Sequence, residues 1–324
     1  MTYSAPLRAG TREHMRLDPE IAELLPVLNT GFPAVETMTG AQARAAVRAR
    51  FRRPARPRPV GAVRDSVTPE GIPVRIYWPS MPFTGPLPLL VFAHGGGFVF
   101  CDLDTHDDLC RSLTNGVGAV VVSVDYRLAP ESRWPTAAED VYAALCWAAE
   151  HAREFGGDAA RLVVAGDSAG GNLAAVTAVL ARDRGGPRIA CQALLYPVIA
   201  ADFTTESYRR FATGHYNTAA AMAWYWDQYV PGISDRTHPY ASPLRADLSG
   251  LPPAVVLTAG FDPLCSEGDH YAETLAAEGV PVTHRRFSGA IHGFMTMPVL
   301  SLAGEARRQV ATDITSVVNR CAVD

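Results

Sequence analysis

One serine in this chain stands where a serine can do chemistry. Gly166-Asp167-Ser168-Ala169-Gly170 follows the apolar run Val163-Val164-Ala165 and precedes the helical pattern Asn172-Leu173-Ala174-Ala175-Val176. A G-x-S-x-G turn between strand and helix is a nucleophile elbow: strained backbone lifts the hydroxyl above the sheet's carboxyl edge, and the glycines are there because the turn leaves no room for a Cβ. A helix starting at the serine points free N–H groups and the positive end of its dipole at the reacting atoms. A serine hydroxyl needs a base, and the base an orienting acid, in the chain order Ser, Asp or Glu, His. Asp262 follows the run "AVVLTAGF", and His292 follows "VTHRRFSGAI". The three can divide nucleophilic catalysis among them. Aspartate orients imidazole, imidazole takes the Ser168 proton, and imidazolium protonates the leaving group.

The chain has nine histidines, and the others are placed less well for this work. His14 and His215 fall in segments outside the strand–helix alternation, His106, His151 and His270 in helix-like stretches, His284 inside a strand, and His238 before a proline. Only His94 and His292 lie in glycine-flanked loops after strands. His94 opens "AHGGGF", directly after "PLLVF". Attack on a carbonyl develops an oxyanion, and consecutive glycines let backbone N–H groups approach it closely. The loop is of the HGGG oxyanion type, completed by the N–H of the residue after the nucleophile, Ala169.

These residues need a scaffold, and the rest of the sequence supplies one. The 324 residues are 48% hydrophobic and 19% charged, enough for a large core in one α/β domain or two smaller ones. Apolar runs at 88–94, 119–126, 161–166, 190–197, 253–260 and 281–287 read as strands, the first five apolar almost throughout as in a parallel sheet covered on both faces. Helical patterns cover 136–154, 169–182, 267–278 and 303–318. Ahead of them "AVRDSVTPEGIPVRIYWP" reads as two antiparallel strands around a Pro-Glu-Gly turn. The result is an α/β fold with a mostly parallel eight-stranded sheet flanked by helices.

Two segments do not fit the alternation. In residues 1–50, Ile21, Leu24, Leu25 and Leu28 recur at helical spacing, and Thr39 with Gln42 makes a capping box. In residues 200–238, "AMAWYWDQYV" puts Met222, Trp226 and Tyr229 on one helical face. Together they predict a helical cap over the carboxyl edge of a catalytic core spanning 51–199 and 239–324. The arginines Arg48, Arg50, Arg52, Arg53, Arg56 and Arg58, interleaved with prolines, read as a solvated linker between cap and first strand rather than a nucleic-acid patch. A net charge of -4, with no lysine anywhere, gives no general attraction to nucleic acid or anionic membranes. Cys101, Cys110, Cys146, Cys191, Cys265 and Cys321 show neither CxxC pairs nor metal-ligand spacing, so free, mostly buried thiols are expected. The N-terminus lacks an apolar secretory core and no run is long enough for a membrane span, so a cytoplasmic location is expected.

With "HGGGF", "DYRLAPE", "GDSAGGNLA", "HPYASPL", "GLPPAVVLTAGFDPL" and "IHGF" in this order, the sequence resembles the hormone-sensitive-lipase-like branch of the α/β-hydrolases, the bacterial carboxylesterases. The resemblance implies a Ser168, Asp262, His292 triad, oxyanion donors on Gly96, Gly97 and Ala169, and a cap made of the two unplaced segments. One departure is Ser266 in "DPLCSEG", where such proteins often carry an aspartate, with Glu267 retained.

The expected activity is therefore hydrolysis of carboxylic esters through an acyl-Ser168 intermediate, without metal or cofactor. The acyl pocket is expected between Phe98, Trp224 or Trp226 and the His292 loop, with a short-chain preference that rests on the resemblance. Two other readings use the same fold. A dedicated biosynthetic hydrolase or acyltransferase would keep the triad, and a non-catalytic small-molecule binder would not need it, although every member is present here. The last strand, "PVTHRRF", could pair with a second copy at the sheet edge, or its arginines could guard that edge.

Overall fold

The computed structural model describes residues 15–80 and 82–321 of the chain. Residues 1–14, with His14 and most of the terminus that showed no secretory core, lie outside the described residues, as does the Cys321 side chain.

The sheet opens with the predicted hairpin. β1 (Ala62–Val67) pairs antiparallel with β2 (Pro73–Trp78) across a turn in which Thr68 N donates to Ile72 O at 2.9 Å and Gly71 takes φ 85°. β2 lies antiparallel to β4 (Val120–Val124), and from there the neighbours run parallel: β3 (Leu87–Ala93), β5 (Gly157–Asp167), β6 (Cys191–Leu195), β7 (Ala254–Phe261) and β8 (Val282–Ile291). The order is β1-β2-β4-β3-β5-β6-β7-β8. Strands β4 and β6 are buried at every position, which is why their sequences carry no polar alternation.

One face is covered by α4 (Thr136–Glu150), α5 (Ala169–Asp183) and α8 (Cys265–Ala277), packed through Val141, Leu173 and Tyr271. The other is covered by α3 (Asp107–Val117), α9 (Ser301–Cys321) and part of α1 (Pro19–Gly31), through Leu113, Val310 and Ile21. Helix α3 was expected only as a helix-like stretch at His106, without bounds. Its Asn115-Gly116 pair reads locally as a turn, but Leu109, Cys110, Leu113 and Val117 are buried on one side and that packing outweighs the glycine's cost of about 1 kcal/mol.

Strand β8 outruns its expected end by four residues, from 287 to 291, and the extension shapes the site. β8 continues from Phe287 to Ile291 across an irregularity in its ladder: Ala259 pairs with Phe287, but Phe261 pairs with Ile291. The extra residues on β8 bring the position after Ile291 level with the position after Phe261. Bulges of this kind re-aim side chains at strand ends.

Thr39 and Gln42 form the expected capping box at the start of α2 (Gly40–Arg50), with Thr39 N donating to Gln42 Oε1 at 2.9 Å and Gln42 N to Thr39 Oγ1 at 3.3 Å. The insertion after β6 folds into α6 (Glu206–Arg210) and α7 (Ala219–Tyr229). It meets the N-terminal segment directly: Asn29 Nδ2 donates to Gly214 O and Tyr216 N to Asn29 Oδ1, both at 2.8 Å, and the Phe32 and Tyr216 rings meet edge-on at 5.2 Å. The six arginines are exposed, Arg48 and Arg50 in the last turn of α2 and the others beyond it, and three of them are paired with carboxylates. Arg48 pairs with Asp102, Arg53 with Asp104 at 2.8 Å and Arg58 with Asp108 at 3.5 Å. Exposed pairs like these contribute ~0–1 kcal/mol each, enough to bias the linker's path without fixing it.

Cys110, Cys191 and Cys265 are buried, Cys101 and Cys146 half-buried. Among the described residues no helix is long and apolar enough to cross a membrane.

Candidate active site

Ser168 closes β5 and opens α5 with φ 56° and ψ -118°. Such a backbone costs a non-glycine residue about 1–3 kcal/mol, and it persists only where its surroundings hold it. Here Ser168 N donates to Leu195 O at 2.8 Å, and Val198 N donates to Ser168 O at 3.0 Å. The elbow also presses on the next strand. A Cβ on Gly170 would lie 2.0 Å from Ala93 O, inside contact distance with a backbone atom that cannot yield.

At the ends of β7 and β8 the extended pairing puts Asp262 and His292 side by side. His292 Nδ1 lies 2.6 Å from Asp262 Oδ2, and its Nε2 lies 2.8 Å from Ser168 Oγ. Asp262 is fully buried, and its Oδ1 accepts the Leu264 N–H at 3.0 Å. A carboxylate so placed favours the tautomer with a proton on Nδ1, which leaves Nε2 free to accept the serine proton. The three residues expected from the sequence are thus within hydrogen-bond reach, with His292 between Asp262 and Ser168. Glu267 is the nearby acid that does not reach His292: its Oε1 accepts the Ile199 N–H at 2.7 Å, and burial holds its carboxyl well above the usual range.

The loop after β3 brings Gly96 and Gly97 to the same cavity as Ser168 and His292. Val99 N and Phe100 N both donate to Gly96 O, at 3.0 and 3.1 Å, which turns that carbonyl back into the loop. No hydrogen bond within the described residues engages the N–H of Gly96, Gly97 or Ala169. Gly97 has φ 58°, and a Cβ there would lie 2.3 Å from Tyr225 Cδ1. Tyr126, of the "DYRLAPE" stretch, holds the loop from behind: its hydroxyl donates to His94 O at 2.7 Å, and its ring stacks on the His94 imidazole at 4.3 Å. Burial pushes the His94 pKa down to about 3, so this histidine is a neutral strut. Nothing in the spacing of Tyr126 from the loop announces this contact; strands β3 and β4 become neighbours only through the sheet order.

The cavity over Ser168 has a volume of about 330 Å³. Its roof comes from both unplaced segments: Phe32, Pro33 and Val47 on one side, Tyr216, Met222 and Tyr225 on the other. The expected wall residues Phe98, Trp224 and Trp226 do not line it. Phe98 is 1% exposed and stacks on Tyr229, with ring centroids 3.9 Å apart at 10°, while Trp226 is fully buried 6.4 Å from Phe98. Trp224 packs edge-on against Tyr225. The difference is one of helical phase. Ala221, Met222 and Tyr225 of α7 face the cavity, and Trp226, one residue beyond Tyr225 and so about 100° further round the helix, turns into the adjoining core. Phe100, two residues beyond Phe98, lines the cavity in its place.

Ser266, at the departure from the expected motif, is engaged with the insertion. Ser207 N donates to Ser266 Oγ at 3.1 Å and Ser266 N to Ser207 Oγ at 3.0 Å, which ties α6 to the start of α8. Among the described residues no group of three or more His, Cys, Asp or Glu side chains is placed to hold a metal ion.

The sequence model of a family described as alpha/beta hydrolase fold matches residues 90–296. The chain is similar to carboxylesterase NlhH of Mycobacterium tuberculosis, 42% identical over 304 residues that cover 89% of this chain and 93% of that one. It is also similar to an ethyl acetate hydrolase of Pseudomonas putida, 40% identical over 70% of this chain and 72% of the relative. The crystal structure of a thermostable esterase from Pseudomonas putida ECU1011 superposes with a TM-score of 0.86 at 39% identity, covering 96% of this chain and 99% of that one.

Proposed function

Because the chain belongs to the α/β-hydrolase-fold family, on its hormone-sensitive-lipase-like branch, and is a carboxylesterase by that kinship, we propose that it hydrolyses short-chain esters through an acyl-Ser168 intermediate. The observation that carries this reading is the continuous chain of contacts from Asp262 Oδ2 through His292 to Ser168 Oγ, at 2.6 and 2.8 Å. His292 Nε2 takes the proton as Ser168 Oγ bonds to the ester carbonyl carbon. The carbonyl oxygen becomes an oxyanion that accepts N–H groups of Gly96, Gly97 and Ala169, each of which contributes on the order of 3 kcal/mol to the transition state. Collapse breaks the bond to the alkoxide, which leaves with the proton from His292. Water then adds to the acyl-enzyme, His292 taking its proton, and the acid departs as the bond to Ser168 breaks and His292 returns the proton to Ser168 Oγ.

The short-chain preference follows from size. A cavity of about 330 Å³, roofed by Phe32, Tyr216 and Tyr225 and partly open to solvent, lies at the small end of ligand pockets (about 300–1,000 Å³) and suits a small ester better than a long acyl chain. We read the N-terminal helices and the 200–238 insertion together as the cap that sets this limit. Incubation with an activated short ester, quenched during the burst and analysed by mass spectrometry, should show one acyl group on Ser168. Acylation elsewhere, or turnover with no acyl-enzyme in wild type and in His292→Asn, would overturn the mechanism.

A further inference from the structure

We propose that Asp167 and His106 form a positioning pair that clamps the oxyanion loop onto the nucleophile elbow, and that the oxyanion donors work only while the clamp is in place. The inference rests on the esterase reading above. Asp167 is the free position of the G-x-S-x-G turn, and the elbow asks nothing of its side chain. Yet the residue is 3% exposed, its Oδ1 accepts the Gly95 N–H at 2.8 Å, and His106 Nε2 lies 3.2 Å from the same oxygen and 3.4 Å from Oδ2. The fit against the loop is close. A Cβ on Gly95 would stand 2.6 Å from Asp167 Oδ2.

Chain connectivity makes this contact matter. Asp167 directly precedes Ser168, and Gly95 directly precedes Gly96, so one carboxylate ties the nucleophile's backbone to that of the first oxyanion donor. His106 holds the carboxylate from the other side. It sits 4% exposed at the start of α3, with Nδ1 3.1 Å from Thr105 Oγ1 and its ring 5.5 Å from that of His94. Burial alone would raise the Asp167 pKa, but the charge and hydrogen bond of His106 together with the Gly95 N–H outweigh it and hold the carboxyl below its usual range. Buried polar and charged pairs are weak contributors to stability, because desolvation cancels most of the attraction. Their use here is geometric, since a shift of about 1 Å in a positioning group can cost on the order of 10²-fold in rate.

The test compares Asp167→Ala, Asp167→Asn and His106→Phe with wild type, measuring kcat and KM for a short p-nitrophenyl ester and the affinity of a trifluoromethyl ketone that mimics the tetrahedral adduct. Asp167→Ala should lower kcat by roughly 10²-fold with KM within about threefold, and should weaken the ketone in step with kcat. Asp167→Asn, whose amide oxygen can still accept from Gly95, should recover kcat to within about tenfold of wild type. His106→Phe should lose about tenfold in kcat at unchanged KM. A kcat within about threefold of wild type in Asp167→Ala, or a loss confined to KM, would overturn the clamp. If Asp167→Ala shows no cooperative thermal transition, His106→Phe decides: unchanged kcat overturns the clamp, and reduced kcat with weakened ketone binding supports it. A wild type that hydrolyses no ester would count against the esterase reading instead, so the two failures are distinguishable.

Discussion

At the floor of the cavity Ser168 and Gly97 sit at φ 56° and 58°, held by strand ends, by backbone hydrogen bonds and by the buried Tyr126 and Asp167 side chains. At its roof Met222 and Tyr225 lie in an ordinary helix, and Phe32 keeps extended backbone at φ -76°, all held by ring packing and by the Asn29 contacts to Gly214 and Tyr216. The floor is made of positions that allow one conformation, the roof of side chains that can repack. On the proposed mechanism, chemistry that needs a few tenths of an ångström falls to the floor, and substrate selection to the roof.

The largest expected effect is at the floor. Asp262→Asn should lower kcat by about 10⁴-fold, because an amide beside Nδ1 favours the wrong histidine tautomer. Thermal unfolding should change far less than kcat, and a parallel collapse of stability would contradict a chemical role. Gly97→Ala comes next, at a kcat loss of about 10²–10³-fold, because its methyl meets the Tyr225 ring and its φ is strained. Adding Tyr225→Ala should restore only part of that loss. Full recovery would mean that space, not backbone conformation, is what the floor protects.

At the roof, Met222→Ala should change kcat on acetate esters by less than about threefold while lowering KM for esters two to four carbons longer. An equal effect along the series would erase the division between floor and roof. The smallest effect concerns stability. His94 has its pKa pushed down from 6.5 to about 3 by burial, so below pH 6.5 the unfolded chain binds the extra proton. Its contribution is complete above the unfolded value and is lost as pH falls toward the folded one. Urea midpoints should therefore decline between about pH 6.5 and 4.5, with a shallower slope in His94→Gln.

The floor was legible in the sequence because its constraints are local. A serine between glycines, three glycines after a strand, and an acid and a histidine after two later strands each carry their geometry within a few residues. The elements that place them were also readable, since buried parallel strands announce themselves as apolar runs. What escaped notice depends on pairing between distant segments. The extension of β8 to Ile291 is set by its irregular ladder with β7, the Tyr126 and Asp167 contacts to the glycine loop after β3 by the sheet order, and the turn of Trp226 away from the cavity by how α7 docks. A helical wheel finds the aromatic residues but not which face the cavity takes, so Met222 and Tyr225 stand where Trp224 and Trp226 were expected.

The most direct measurement is hydrolysis of a p-nitrophenyl ester series, acetate to decanoate, by wild type and Ser168→Ala from parallel preparations. The account predicts a burst and turnover on the short members in wild type, falling as the chain lengthens, and a loss of about 10⁴-fold or more in Ser168→Ala. Hydrolysis that survives in Ser168→Ala at wild-type rate would contradict it.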